Sequence, residues 1–410
     1  MSQPHRLIIA DPGLTGPLGH HLSYSAAVAG AAIRAGVPTL VLAGRGFDGA
    51  FESEGIETRA VLGSAYQTAG GGGLVRRCIF GLAAHLPGPF AAFVGPAVRN
   101  LRRKLPPFAR DGLGRELAAQ LAHFGAGPAD MLLLHSVSGA NLFSLCDAQL
   151  PPVTLLVVLR RMPAEMEADD PAPELLVALF QRLADRFGQR LRLFADTQTL
   201  AAQFHQLSGL QVRPVPLPVA VPGVLCRPLP AVPHLVFAGG ARLEKGYARL
   251  PAALAALAGR ARFTIQSGPI SPAADPLVQR AHRALREASG PQLVLIEEAL
   301  EPPAYAALLA SADLLLLPYD GRIYGARSSG ILAEALALGI PAVVPAGCWM
   351  EDAAGSARAV AVPSDRMLGS CLMEALDRLP AITHAARQAA PAWRMEHSPE
   401  ALWNALTGPV

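Results

Sequence analysis

The sequence predicts an α/β protein made of two doubly wound halves, each a parallel sheet with helices on both faces. Three observations carry this reading. At 410 residues the chain exceeds one compact core and suits two domains. Short, near-continuous apolar runs alternate with amphipathic or alanine-rich stretches, as strands buried on both faces of a sheet do. The alternation then restarts after 212–234, a stretch too rich in proline for either element.

In order, strands are expected at 6–10, 39–43, 131–134, 154–159 and 191–194, then at 235–238, 263–266, 293–297, 314–318 and 342–345. Helices are expected at 22–35, 174–187, 247–258, 304–310 and 329–338, where apolar residues recur at helical spacing or alanine dominates. The expected domains are 1–215, a linker at 216–234, a second domain at 235–385, and a C-terminal helical segment at 386–410 that packs back on the first. In doubly wound sheets ligands bind at the carboxyl ends of the strands, so the crevice between the halves is the expected ligand site.

Composition narrows the function. The chain is 51% hydrophobic and 16% charged with a net charge of +3, which excludes a disordered polar chain, a collagen and a charge-driven nucleic-acid coat protein. Cys78, Cys146, Cys226, Cys348 and Cys371 are scattered, with no C-x-x-C, so neither a disulfide framework nor a zinc site is expected. The opening apolar run at 7–10 is shorter than a signal peptide core, and no uncharged apolar stretch free of Gly and Pro is long enough to span a bilayer. A cytoplasmic protein is expected.

One stretch breaks the pattern. From Thr58 to Arg110 there is no acidic residue, while Arg59, Arg76, Arg77, Arg99, Arg102, Arg103, Lys104 and Arg110 are basic. Two readings of 70–110 stand side by side: a solvated basic face, or a surface for an anionic membrane or a lipid-linked acceptor, which would make the protein peripheral on the inner face of the membrane. Nucleic acid is not expected, because aromatic interleaving and a recognisable binding module are both missing.

The residues that point to chemistry lie mainly in the second half. A strand runs into Gly239, Gly240, Ala241, Arg242, Leu243, Glu244, Lys245 and Gly246, followed by a helical pattern. Glycines between strand and helix let backbone N–H groups approach an anion. Arg242 and Lys245, three apart, add a planar fork and a point charge, a combination that suits a diphosphate. Lys245 is one of only two lysines, Lys104 being the other. Farther on, a buried strand leads to a loop with Tyr319, Asp320, Arg322, Tyr324 and Arg327, and a helix opens at Ser328, Ser329 and Gly330. Hydroxyls at a helix start cap it and leave N–H groups for a second anion site. Glu334, about a turn inside, is placed to accept from ribose hydroxyls. For each segment alone, a plain turn or a solvated helix face remains the alternative.

Here the sequence resembles the retaining glycosyltransferases of family 4, which have the two-domain GT-B fold. GGARLEKGY is similar to that family's donor-diphosphate segment, LASADLLLLPY to the strand before its donor loop, and SGILAEALALGIPAVV to its glutamate-bearing helix and next strand. ADTQTLAAQFHQLSGLQVRPVPLPV is similar to the family's exit from the first domain. The resemblance implies donor contacts for Gly240, Arg242, Lys245, Tyr324, Arg327, Ser328, Ser329, Gly330 and Glu334, with Arg242 and Lys245 on the diphosphate. It implies a nucleotide sugar as donor, a saccharide or lipid-linked acceptor, no cofactor, no metal, and a front-face mechanism in which the leaving diphosphate takes the acceptor proton. One departure stands out. The family commonly has a glutamate eight residues before the ribose glutamate, and Ala326 occupies that position.

In the first half, DPGLTGPLGHH at 11–21 precedes a helix, and Gly16, Gly19 and His20 are expected on the acceptor side, with His20 or His21 facing the crevice. His135 follows a strand at the ligand edge, resembles a family histidine near the donor sugar, and is expected to be catalytic with Arg242 and Lys245. Arg160 ends the next strand and is placed for an anionic acceptor; Asp196 reads as the cap of the helix after it. The expected function is sugar transfer in cell-envelope polysaccharide or glycolipid synthesis. The rivals are a sugar-nucleotide 2-epimerase of the same fold and a non-catalytic sugar-nucleotide-binding scaffold.

Overall fold

The computed structural model describes residues 5–16, 20–49, 51, 55–64, 112–163, 166, 173–257, 259–272, 274–363 and 366–408. The basic segment at 70–110, read either as a solvated basic face or as a surface for an anionic membrane or lipid-linked acceptor, therefore lies outside the described residues. The chain divides into two compact units, Met1–Val215 with Trp403–Val410, and Pro216–Leu402.

The first unit is a seven-stranded parallel sheet. Its strands are β1 (Arg6–Asp11), β2 (Thr39–Gly44), β3 (Ile56–Leu62), β4 (Asp130–Leu134), β5 (Thr154–Leu159), β6 (Leu191–Ala195) and β7 (Val212–Pro214), in the order β3-β2-β1-β4-β5-β6-β7. Ile8 is paired with Leu40 on one side and Leu132 on the other, so hydrophobic rows run across the sheet. Its helices are α1 (His20–Arg34), α2 (Leu113–His123), α3 (Gly139–Asp147), α4 (Pro173–Phe187) and α5 (Gln198–Ser208). Local chemistry sets their ends. Ser138 and Asn141 form a reciprocal capping box at the start of α3. Thr197 caps α5, which ends at Gly209 with φ +70°. Phe180 of α4 and Phe204 of α5 meet edge to face with centroids 5.6 Å apart, both fully buried.

The second unit has β8 (His234–Ala238), β9 (Arg262–Gln266), β10 (Leu293–Ile296), β11 (Leu314–Leu316), β12 (Ala342–Pro345) and β13 (Ala359–Val362), in the parallel order β10-β9-β8-β11-β12-β13. Its helices are α6 (Leu250–Ala255), α7 (Pro276–Glu287), α8 (Pro302–Ala310), α9 (Gly330–Leu338), α10 (Trp349–Ala354), α11 (Leu368–Asp377) and α12 (Leu379–Glu396). The Trp393 indole of α12 donates to the Ala333 carbonyl of α9 at 3.0 Å. The last helix, α13 (Pro399–Thr407), leads to the tail that groups with the first unit, where Arg192 of β6 donates to the Gly408 carbonyl at 3.2 Å.

Three strands were not expected, and each lies at a sheet edge. β3 alternates exposed and half-buried residues instead of forming a continuous apolar run. β13 consists only of small apolar residues. β7 corrects the expectation that 212–234 forms no element: Pro214 pairs with Ala195 at the edge, where a missing N–H is tolerated. The helix expected at 247–258 begins as a 3-10 turn, Tyr247–Arg249, before α6.

Candidate functional site

Both sheets reverse their strand order once, between β1 and β4 in the first unit and between β8 and β11 in the second. Such reversals open a crevice at the strands' carboxyl ends, because the flanking loops diverge to opposite faces. The expected residues of the second unit follow its two central strands, β8 and β11, and His135 follows β4 in the first.

In the second unit β8 ends at Gly239 and Gly240, with φ of +141° and +76°. Gln266, at the end of β9, accepts from the Gly239 N–H at 3.1 Å. A methyl group placed on Gly239 would lie 3.0 Å from the Lys245 ammonium, 3.0 Å from Ile331 Cδ1 and 3.3 Å from the Tyr319 hydroxyl. The lysine, the first turn of α9 and the loop after β11 therefore converge on one stretch of bare backbone. Lys245 donates to the Gly239 carbonyl, and its nitrogen is 5.7 Å from the Tyr319 ring centre. Burial pulls its pKa from the ordinary 10.5 down to about 8, the Arg242 and Arg327 charges push the same way, and Glu244 opposes them. Three cations thus crowd one spot. Arg242 is more than half exposed and sits 3.7 Å from Glu244.

Close packing holds these groups. Gly246 has φ +71°, and a Cβ there would fall 1.9 Å from the Pro318 carbonyl oxygen, so only glycine lets the loop after β8 lie against the loop after β11. The Asp320 N–H donates to the Glu244 carbonyl at 2.9 Å across the same contact. Tyr324 packs against Tyr319 with ring centres 4.7 Å apart, and the Arg327 guanidinium lies 5.4 Å from the Tyr324 ring centre. Ser329 is buried and caps α9 by accepting from the Leu332 N–H, while Gly330 is exposed. Glu334 accepts from the Tyr305 hydroxyl at 2.7 Å. Burial raises the Glu334 pKa against that bond. Ala326, 1% exposed, fills its position with a buried methyl group.

In the first unit, Asp11 ends β1 and His135 follows β4, both wholly buried. The Asp11 carboxylate accepts from the Gly13 N–H at 3.0 Å, lies 2.9 Å from His21 Nδ1 and 3.2 Å from His135 Nε2. Burial alone would raise its pKa, but the His135 charge and the hydrogen bonds from both histidines outweigh burial and hold it well below the usual carboxylate range. His135 Nε2 is also 2.8 Å from Ser25 Oγ, and its Nδ1 is 3.2 Å from Ser136 Oγ. Tyr24 stacks on His135 at 4.4 Å, and the Arg160 guanidinium lies over the Tyr24 ring, 4.9 Å from its centre. Arg160 donates to Asp196 at 2.8 Å; Thr197 caps α5 in place of the aspartate expected there.

His135 and Arg160 are thus brought together through Tyr24. A Cβ on Gly16 would meet nothing within 4 Å among the described residues. Gly19 and the His20 side chain lie outside the described residues. Sequence reasoning missed Asp11, Gly13, Tyr24, Ser25, Gln266 and Tyr305, and named Gly246 only as the end of the glycine-rich turn. An aspartate directly after the first apolar run was the one visible clue.

No family model and no curated protein matches the chain. Solved structures do. Sucrose-phosphate synthase from Thermosynechococcus elongatus is 15% identical with a TM-score of 0.66, covering 98% of this chain and 96% of that one. Anabaena HepE in complex with UDP-glucose is 12% identical with a TM-score of 0.66, covering 98% of each chain. The trehalose-6-phosphate synthase OtsA is 13% identical with a TM-score of 0.61, covering 99% of each. At such identities the likeness speaks for architecture, and with the two parallel, once-reversed sheets it establishes that this chain has the GT-B fold of glycosyltransferases.

Proposed function

We propose that the protein transfers a sugar from a nucleotide-diphosphate donor to an acceptor hydroxyl. The observation that carries this reading is the convergence of Lys245, the first turn of α9 and the glycine backbone at 239–240, with Arg242 and Arg327 close enough to depress the lysine. Negative charge grows on the diphosphate as the sugar leaves, and fixed cations and amides in a dry site stabilise that charge without reorganising. Arg242 and Lys245 take the diphosphate in this reading, joined by the α9 start at Ser328–Gly330. Glu334, steadied by Tyr305, takes the ribose hydroxyls, and Tyr324 and Arg327 wall the donor loop. His135 and Arg160 belong to the acceptor side.

The finer reading is retention at the anomeric carbon, as the resemblance to the retaining family implies, and transfer without a metal, because these cations would supply the charge a metal would. The HepE structures with UDP-glucose, and with UDP and glucose, make UDP-glucose the first donor to test. An acceptor in cell-envelope polysaccharide or glycolipid synthesis suits the basic stretch at 70–110, which would meet an anionic lipid-linked acceptor or membrane surface.

The experiment is nucleotide release from a panel of sugar nucleotides, with and without saccharide acceptors, followed by NMR of the anomeric proton in the product. Acceptor-dependent release with retained configuration, unchanged by EDTA, is expected. Ala326 favours one rival, a non-catalytic sugar-nucleotide-binding scaffold; donor binding without turnover on any acceptor would establish that rival.

A further inference from the structure

We propose that the Tyr319 hydroxyl donates a hydrogen bond to an oxygen of the bound diphosphate, beside the Lys245 ammonium. The inference rests on the sugar-transfer reading and adds one residue to its donor site. Every group it uses belongs to the second unit.

Tyr319 follows β11 and is 3% exposed. Its backbone is fixed on both sides. The residue before it, Pro318, packs against Gly246, and the one after it, Asp320, donates its N–H to the Glu244 carbonyl at 2.9 Å. Its ring is fixed as well. Tyr324 packs against it with ring centres 4.7 Å apart, and the Lys245 nitrogen stands 5.7 Å from its ring centre. A side chain already held in one pose loses little further freedom when a ligand uses it.

The hydroxyl is what this packing leaves over. It makes no hydrogen bond to a described residue, although a polar group taken out of water costs free energy until it is matched. Its place is informative. A Cβ on Gly239 would lie 3.3 Å from this hydroxyl and 3.0 Å from the Lys245 ammonium. An oxygen seated over that bare glycine therefore has both groups as neighbours. Burial, with Tyr324 and Glu244 reinforcing it and Arg242 opposing, raises the Tyr319 pKa above the usual phenol range. The hydroxyl keeps its proton and meets an anion as a donor.

The surroundings fix the sign of that partner. Arg242 and Arg327 are near enough to Lys245 to depress its pKa, so the oxygen that suits this place carries negative charge. A neutral sugar hydroxyl would leave the cations unmatched. A phenol bonded to a phosphate oxygen is charge-assisted, about twice as strong as a bond between neutral groups.

The test is Tyr319→Phe, which removes one oxygen atom and keeps the ring. Calorimetry follows UDP, or whichever nucleoside diphosphate the wild type binds; displacement assays follow inorganic pyrophosphate and the matching nucleoside; urea unfolding follows the unliganded protein. Affinity for the nucleoside diphosphate and for pyrophosphate should each fall about 10-fold or more, the loss expected for a bond to a charged group. Nucleoside affinity should not change. Stability of the unliganded variant should equal or exceed that of the wild type, because the phenylalanine no longer buries an unmatched hydroxyl. A tyrosine that serves only to pack or brace the loop would give the reverse, with lower stability and intact affinity. Intact diphosphate affinity, a loss shared equally by the nucleoside, or a loss that comes with lower unliganded stability overturns the assignment while sugar transfer stands. Failure of the wild type to bind any sugar nucleotide overturns the underlying reading, and this inference with it.

Discussion

Replacing Gly246 with alanine tests the tightest packing in the second unit. The new Cβ would stand 1.9 Å from the Pro318 carbonyl oxygen and 2.8 Å from its carbon, both main-chain atoms that cannot rotate away. The backbone at φ +71° adds left-handed strain, on the order of 1 kcal/mol for a residue with a Cβ. Gly240 provides the control: it has φ +76°, but its nearest neighbour, the Ser267 carbonyl, is 3.7 Å away. Gly240→Ala should therefore show strain alone, about 1 kcal/mol. Gly246→Ala adds the forced separation of two loops, which as overpacking costs a further ~1–3 kcal/mol. The ammonium of Lys245 moves with its loop, so UDP affinity should fall much further in Gly246→Ala than in Gly240→Ala. Urea unfolding and calorimetric titration with UDP measure both effects. Equal destabilisation of the two variants, with UDP affinity intact in each, would refute the claim that this glycine clamps the diphosphate loop.

Other consequences follow from the same geometry. Because the Lys245 pKa is about 8 when folded against 10.5 ordinarily, the unfolded chain binds more protons between those values, so its contribution to stability rises with pH across that window. At pH 7, Lys245→Met should therefore stabilise the unliganded protein by ~1–3 kcal/mol, a gain that fades as pH climbs through that window, as seen in urea unfolding at stepped pH. UDP affinity of the wild type should decline above pH 8 as the free ammonium deprotonates, and Lys245→Arg should remove that decline. Tyr305→Phe deletes the 2.7 Å bond to Glu334, which should raise the Glu334 pKa further and weaken UDP binding by about 1 kcal/mol, most visibly at low pH in calorimetry. In the first unit, Gly114→Ala places a Cβ 2.1 Å from the Ser144 carbonyl oxygen between α2 and α3, and should lower stability by ~1–3 kcal/mol without changing UDP affinity.

How far the sequence could be read depended on how locally each feature is encoded. Strands buried on both faces, such as β4, β5 and β8, are continuous apolar runs and were legible. The edge strands β3, β7 and β13 were not, because one side faces solvent or the segment is short and contains proline, and their hydrophobic pattern fades. The glycine-rich turn after β8, with its two cations, was legible because Gly239, Gly240, Arg242 and Lys245 are neighbours in the chain. The network around Asp11 was not: Ser25 and His135 are 110 residues apart, and only the parallel pairing of β1 with β4 brings them together. Tyr305 and Glu334 meet in the same way, from separate helices. Nor does composition reveal that Gly246 is sterically obligatory while Gly16 is not; that depends on the Pro318 backbone, which belongs to a separate loop.

The central claim, that the carboxyl edge of the second sheet binds a nucleotide diphosphate, is tested most directly by a crystal structure of the protein with UDP. The account predicts both phosphates at Gly239–Gly240, within hydrogen-bond reach of the Lys245 ammonium and the N–H groups that open α9, with ribose oxygens on Glu334. UDP bound elsewhere at full occupancy, with Lys245 still donating to the Gly239 carbonyl, would contradict it.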